Sequence, residues 1–189
     1  DCAINTYSNN TPENQKLAGE LEQREEEVDA LQAEITDYLS RLMQRKLLPV
    51  QADAIPLLIH CTNDTERIGD HTAIILDQLN QIKKTGVSLS EMAEREMEEL
   101  HQLLAKQVEV ANTLLIKFSS EKYAQASELE EKINSLTDAF ESNHLERLKD
   151  GTCLPVIGVF YIQLLAEFQK VSRHLANIAD RSKEISALA

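Results

Sequence analysis

Tryptophan is absent from this sequence, and aromatic residues make up only 4% of it. That leaves no stacking platform for bases or sugar rings. Turn material is also scarce, with 5 Gly and 4 Pro in 189 residues, so the chain reverses direction rarely and must build long elements. Basic residues are outnumbered, 19 Lys and Arg against 32 Asp and Glu, for a net charge of −13. Such a surface repels phosphate backbones and anionic leaflets alike, which argues against nucleic acid as a partner and means that membrane attachment needs a covalent tether. Cys2, Cys61 and Cys153 are odd in number and share no metal-type spacing. Cys61 lies on an apolar stripe and reads as a small buried hydrophobe, and so low a count suits a reducing compartment. Long apolar runs are missing too. The nearest, Leu154 to Ala166, is interrupted by Gln163 and falls short of the ~18–20 residues of a membrane span, and no signal peptide is visible.

What the chain has instead is helix-forming material. Hydrophobic residues make up 42%, and Leu, Ala, Glu, Gln and Lys dominate. Steps of three, four and seven between apolar positions predict five long helices. The first starts at Thr11-Pro12 and carries Leu17, Leu21, Val28, Leu31, Ile35, Tyr38 and Leu42 before ending near Lys46. The second runs from Val50 or Pro56 to Lys84 with Cys61, Thr65, Ile68, Thr72, Ile75, Leu79 and Ile82 on its seam, closed by Gly86. Ser88 with Glu91 forms a capping-box pattern opening the third, which carries Leu89, Met92, Leu100, Leu103, Leu114 and Phe118. After Ser119-Ser120 a fourth, 121–149, presents Leu129, Ile133, Leu136, Phe140 and Leu148, and Asp150-Gly151 ends it. The fifth begins near Thr152 or Pro155 and carries a broad stripe from Ile157 to Ile185. Short connections make neighbours antiparallel, so the expected fold is an all-α antiparallel bundle of long helices.

Two stretches repeat. Val28-Asp29-Ala30-Leu31 aligns with Ile133-Asn134-Ser135-Leu136 at an offset of 105, and Glu66-Arg67-Ile68-Gly69-Asp70-His71 with Gln169-Lys170-Val171-Ser172-Arg173-His174 at 103. Residues 1–14 then read as a polar leader, 15–118 as a three-helix repeat and 119–189 as a two-helix repeat whose third helix is missing or lies beyond the end. The broad stripe of the fifth helix calls for a cover, either that helix or a second copy of the chain in a homodimer.

The chemistry-bearing candidates are carboxylates. Glu66 and Asp70 are four apart and share one helical face, and Glu25 and Asp29 have the same spacing on the first helix. Antiparallel packing of the two helices brings both pairs together, and four converging carboxylates repel unless a cation joins them. All-oxygen ligation selects a hard cation: magnesium, calcium, manganese or ferric iron. The alternative is a solvated acidic face, of which Glu25-Glu26-Glu27 is typical. His71, beside Asp70, is a candidate ligand or a partner to one. Di-iron carboxylate catalysis requires two Glu-x-x-His motifs, and only Glu141-Ser142-Asn143-His144 fits. With no phosphate loop and no nucleophile or zinc motif, the chain reads as a binder rather than an enzyme.

The run Asn63-Asp64-Thr65-Glu66-Arg67-Ile68-Gly69-Asp70-His71 resembles the signature of the PhoU family. With Glu25-x-x-x-Asp29 upstream and both blocks repeated, the likeness covers about residues 15–187. The resemblance implies tandem three-helix repeats, a metal site, often iron, at Glu25, Asp29, Glu66 and Asp70, and a non-catalytic role in phosphate transport or its regulation. PhoU-like domains occur as free regulators and as soluble tails of sodium/phosphate cotransporters. The start at Asp1 rather than Met, the polar leader and the divergent second repeat look more like a tail, tethered at the cytoplasmic face of the inner membrane and acting on the membrane-embedded transporter portion. A free cytoplasmic regulator and a ligand-free helical adaptor are the alternatives. In the second repeat Asn134, Gln169 and Arg173 replace acids of the pattern, so a second cluster is not expected, and Arg173 is positioned to pair with Glu130 or Glu131.

Overall fold

A computed structural model describes residues 12–188, with side chains from residue 19 onward. Five helices follow one another: α1 (Pro12–Met43), α2 (Pro49–Lys84), α3 (Glu91–Ile116), α4 (Ser120–Lys149) and α5 (Pro155–Ala187). At 1.5 Å per residue they are about 40–55 Å long. No strand occurs among the described residues, so the expected all-α bundle is what forms. Residues 1–11 of the expected 1–14 leader and the Leu17 side chain lie outside the described residues, and 12–14 belong to α1.

The helix ends follow local chemistry. Pro49 and Pro155 occupy first turns, where their missing N–H costs nothing. Pro56 is tolerated inside α2, which runs unbroken from Pro49. The cap of α3 is Ser90, whose hydroxyl accepts the Ala93 N–H at 3.2 Å, and not Ser88 as the capping-box pattern suggests. Ser119 caps α4 by accepting the Lys122 N–H. Gly86 and Gly151 follow α2 and α4 with φ of 70° and 69°, the left-handed conformation that ends a helix and that only glycine adopts freely.

Most of the core lies where α3, α4 and α5 meet one another and where α5 meets α2. Ile82, Leu100, Ile133, Leu164, Leu165 and Tyr161 are almost fully buried, and each such side chain contributes about 2 kcal/mol through removal from water. The central pair is α2 and α5. His71 meets Glu167 and His174 meets Asp64, so seven residues forward on one helix are seven backward on the other, which makes the pair antiparallel. α3 runs antiparallel to α4 and parallel to α5, since Glu96 meets Arg147 and Tyr161 while Gln107 donates to the Ser172 carbonyl at 3.0 Å. Although sequence order groups α3 with α1 and α2, its packing is with α4 and α5.

The exception is α1, which packs substantially on α2 alone. Its expected seam is correspondingly incomplete: Leu31, Ile35 and Tyr38 are exposed, and Leu39 is the buried residue of the helix. Thr65 and Met92, also placed on seams by spacing, face solvent. By contrast the broad stripe of α5 is covered by α2, α3 and α4. The uncovered apolar face therefore belongs to α1 and α2, a correction to the expectation that α5 lacks a cover.

Candidate metal centre

Two polar faces of α2 arise from one short run. Asp64 and His71, seven apart, point toward α5, whereas Glu66 and Asp70, four apart, point toward α1. α1 lies antiparallel to α2, with register fixed by the Gln32 amide donating to Asn63 Oδ1 at 2.8 Å. Gly69 faces α1 across this contact: a Cβ there would sit at ordinary contact distance, 3.9 Å from Val28 Cγ1 and 4.0 Å from Glu25 Cγ. With the helices this close, carboxylate oxygens of Glu25, Asp29 and Asp70 all fall within 4.8 Å of one another. Glu66 stands at the edge of this trio, near enough to Asp70 for the two charges to act on each other.

The electrostatics record the crowding. Glu25 has its pKa raised, first by the charge of Asp29, then by burial and by Asp70, Glu26 and Glu66. Glu66 is raised by burial and then by Asp70, partly offset by Arg67. Arg67 supplies the nearest positive charge, 3.0 Å from Asp70 Oδ2 and 3.5 Å from Glu66 Oε2. One exposed guanidinium against four carboxylates leaves the group short of positive charge. Donor set and spacing would suit a hard, oxygen-preferring cation, which Glu25, Asp29 and Asp70 would hold, with Glu66 adjoining them. Arg67 was not singled out in the sequence, although its i,i+3 spacing to Asp70 was readable there.

His71 does not face this group. Its Nδ1 lies 2.7 Å from Glu167 Oε2 across the α2–α5 contact, so, contrary to expectation, it neither joins the acidic group nor partners one of its members. Asp64, buried on the same face, binds His174 Nδ1 at 2.7 Å, the Asn177 amide at 3.1 Å and the Arg181 guanidinium. Neither Asp64 nor Glu167 was recognised from sequence, because each meets its partner roughly a hundred residues away in the chain.

In the second half the equivalent positions are Glu130, Asn134, Gln169 and Arg173, and among the described residues no comparable acidic group forms there. Among the described residues Arg173 forms no contact ion pair with Glu130 or Glu131, contrary to expectation. Its charge acts at longer range, lowering a Glu130 pKa that burial and then Asp180 raise. Of the Glu-x-x-His pair, Glu141 is exposed while His144 is buried against the Tyr161 ring, centroids 4.8 Å apart. Glu96 forms a further buried hub, accepting two bonds from Arg147 and one from Tyr161.

Comparison with known proteins bears on this geometry. The family model for the PhoU domain matches residues 3–79, the stretch holding all four carboxylates. No curated protein matches the chain. Among solved structures, PhoU from Pseudomonas aeruginosa superposes with a TM-score of 0.87 at 15% identity, covering 98% of this chain and 87% of that one. The phosphate transport system regulatory protein PhoU from Streptococcus pneumoniae gives 0.77 at 18% identity, covering 97% and 87%. Identities this low speak for the fold alone. The PhoU domain model thus matches the first two-fifths of the chain, and the described residues as a whole share the helical-bundle fold of these two PhoU structures.

Proposed function

We propose that this chain is a non-catalytic regulator of phosphate transport whose α1–α2 hairpin is controlled by a bound hard cation. The observation that carries the reading is the meeting of Glu25, Asp29 and Asp70 oxygens within 4.8 Å across two helices. A bound cation would supply the positive charge that ties the acidic face of α1 to that of α2. Because α1 has little other support, its N-terminal half is the segment such a site would hold or release. Glu25 and Asp29 anchor one side, Asp70 the other, and Glu66 with Arg67 tunes the charge around them.

Two settings are open for such a regulator. A free-standing regulator of phosphate uptake is favoured by the likeness to the Streptococcus pneumoniae phosphate transport system regulatory protein. Attachment to a sodium/phosphate cotransporter at the inner membrane rests on the polar leader and the divergent second half. No helix among the described residues is long and apolar enough to cross a membrane, so any span in that arrangement would come from outside them.

The test has two arms. Protein purified without chelator should retain iron, magnesium, manganese or calcium in near-stoichiometric amount, and Asp29→Asn with Asp70→Asn should abolish retention. Expression in a bacterium deleted for its own PhoU protein should restore phosphate-responsive control of uptake. Retention of metal by the double variant would remove the site, and failure to restore control would remove the free-regulator setting.

A further inference from the structure

Among the described residues, Arg67 is the cation that touches the acidic group, and the repeat shows why it does. At the offset of 103 its counterpart is Lys170, and those of Asp64, Glu66 and Asp70 are Glu167, Gln169 and Arg173. Lys170 turns back along its helix and bonds Glu167 at 2.7 Å. The same move is closed to Arg67, because buried Asp64 already accepts from the His174 ring, the Asn177 amide and the Arg181 guanidinium. Arg67 therefore turns forward, its Nη1 lying 3.0 Å from Asp70 Oδ2 and its Nε 3.5 Å from Glu66 Oε2. The side chain remains 59% exposed, so the guanidinium can leave these carboxylates for water at little cost.

We propose that Arg67 is a resident counter-cation that a metal ion must displace, so that the acidic group loads reversibly above a threshold concentration instead of holding its ion permanently. The inference rests on the cation site proposed above and adds its regulation. In metal-free protein the guanidinium offsets part of the repulsion among the carboxylates, and it lowers a Glu66 pKa that burial and then Asp70 raise. Both partners of Arg67 belong to α2, whereas an ion held by Glu25, Asp29 and Asp70 would tie α1 to α2. Exchange of one cation for the other thus decides whether the two helices are joined. Magnitudes favour displacement. A guanidinium that stayed about 6 Å from a divalent ion would weaken its binding about tenfold at the dielectric constant of water. Breaking exposed bridges of this kind costs at most about fivefold. Leaving is the cheaper course, and the site is weaker by the cost of leaving.

Calorimetric titration of the full chain with Mn²⁺, after stripping with a chelator and at low salt, tests the displacement. Arg67→Met should bind Mn²⁺ about three- to fivefold more tightly than the parent, and Arg67→Lys, which keeps the charge, should bind as the parent does. Melting temperatures give a second readout, one that a merely structural role would not split. Arg67→Met should lower the melting temperature of metal-free protein, where the bridges exist, and leave that of Mn²⁺-saturated protein unchanged, where they are already broken. Equal or weaker binding by Arg67→Met overturns the proposal and leaves Arg67 as a support for its carboxylates. A parent that binds no Mn²⁺, or binds it undiminished after Asp29→Asn with Asp70→Asn, removes the cation site and the displacement with it.

Discussion

His71 and His174 stack at the centre of the molecule, their ring centroids 5.4 Å apart and their planes within 24°. Each ring directs Nδ1 at a buried carboxylate of the opposite helix, Glu167 for His71 and Asp64 for His174, at 2.7 Å in both cases. A carboxylate only accepts, so each Nδ1–H donates. All four residues obey the same offset of 103, so the contact is its own image under the repeat. The α2–α5 pairing is thereby fixed in direction and register by two charge-assisted bonds rather than by apolar packing alone.

Asp64→Ala should destabilise the chain by about 2–3 kcal/mol, because it leaves the largely buried His174 and Arg181 without their acceptor. Glu167→Ala should cost less, about 1–2 kcal/mol, since its second partner Lys170 is half exposed and regains water. Urea denaturation of both variants and the double variant would check this. Equal costs for the two would show that the Asp64 network adds nothing beyond its histidine.

The hub around Glu96 gives a pH prediction. Burial pushes its pKa up, but bonds from Arg147, Tyr161 and Asn143 outweigh burial and leave it below the usual carboxylate value. A folded pKa below the unfolded one gives stability that is fully present above the unfolded pKa, near 4.3, and is lost as pH falls through the folded value. Glu96→Gln should therefore cost about 3 kcal/mol at pH 7, and the difference from the parent should shrink as pH falls below about 4. Chemical denaturation across that range would measure it.

The acidic group shows the opposite sign. Glu66 is raised in the folded state, so its contribution to stability is present below the unfolded pKa and lost as pH rises through the folded value. In metal-free protein at pH 7, Glu66→Gln should thus stabilise slightly, by about 0.5 kcal/mol, and the gain should vanish toward pH 4. With a tightly binding cation added, the same substitution should become destabilising. Melting temperatures with and without metal would separate the two regimes, and a substitution neutral in both would count against cation binding at this residue.

Two helical glycines should respond oppositely to alanine. At Gly158 a Cβ would come within 2.7 Å of His144 Nε2 and 3.2 Å of Leu148 Cδ2, so Gly158→Ala should destabilise by about 1–3 kcal/mol. At Gly69 the nearest atoms are at ordinary contact distance, so Gly69→Ala should stabilise by about 0.5–1 kcal/mol through helix propensity. Thermal melts suffice to read both signs.

Much of the fold was legible in one dimension because it depends on local rules. Apolar spacing, few turn residues and the positions of Pro49, Gly86, Gly151 and Pro155 specify five long helices with short connections. The acidic pairs were legible for the same reason, since four-residue spacing alone puts Glu25 with Asp29 and Glu66 with Asp70 on one face of a helix. Ser90 displaced Ser88 as a cap because the chain reaches the helix two residues later than the capping box implied, and sequence patterns leave such boundaries loose.

The sequence by itself determined helix type, approximate limits, the acidic faces and the repeat, all of which follow from contacts within a few turns. Tertiary structure alone decided that α3 joins α4 and α5, that Ile35 stays open while Phe140 is buried, and that His71 turns from Asp70 to Glu167. The physical reason is that an amphipathic stripe states that a face wants cover without naming what covers it. Which helix arrives depends on the competition among all apolar faces for a limited set of partners, and a polar side chain then bonds to whatever that packing brings within reach.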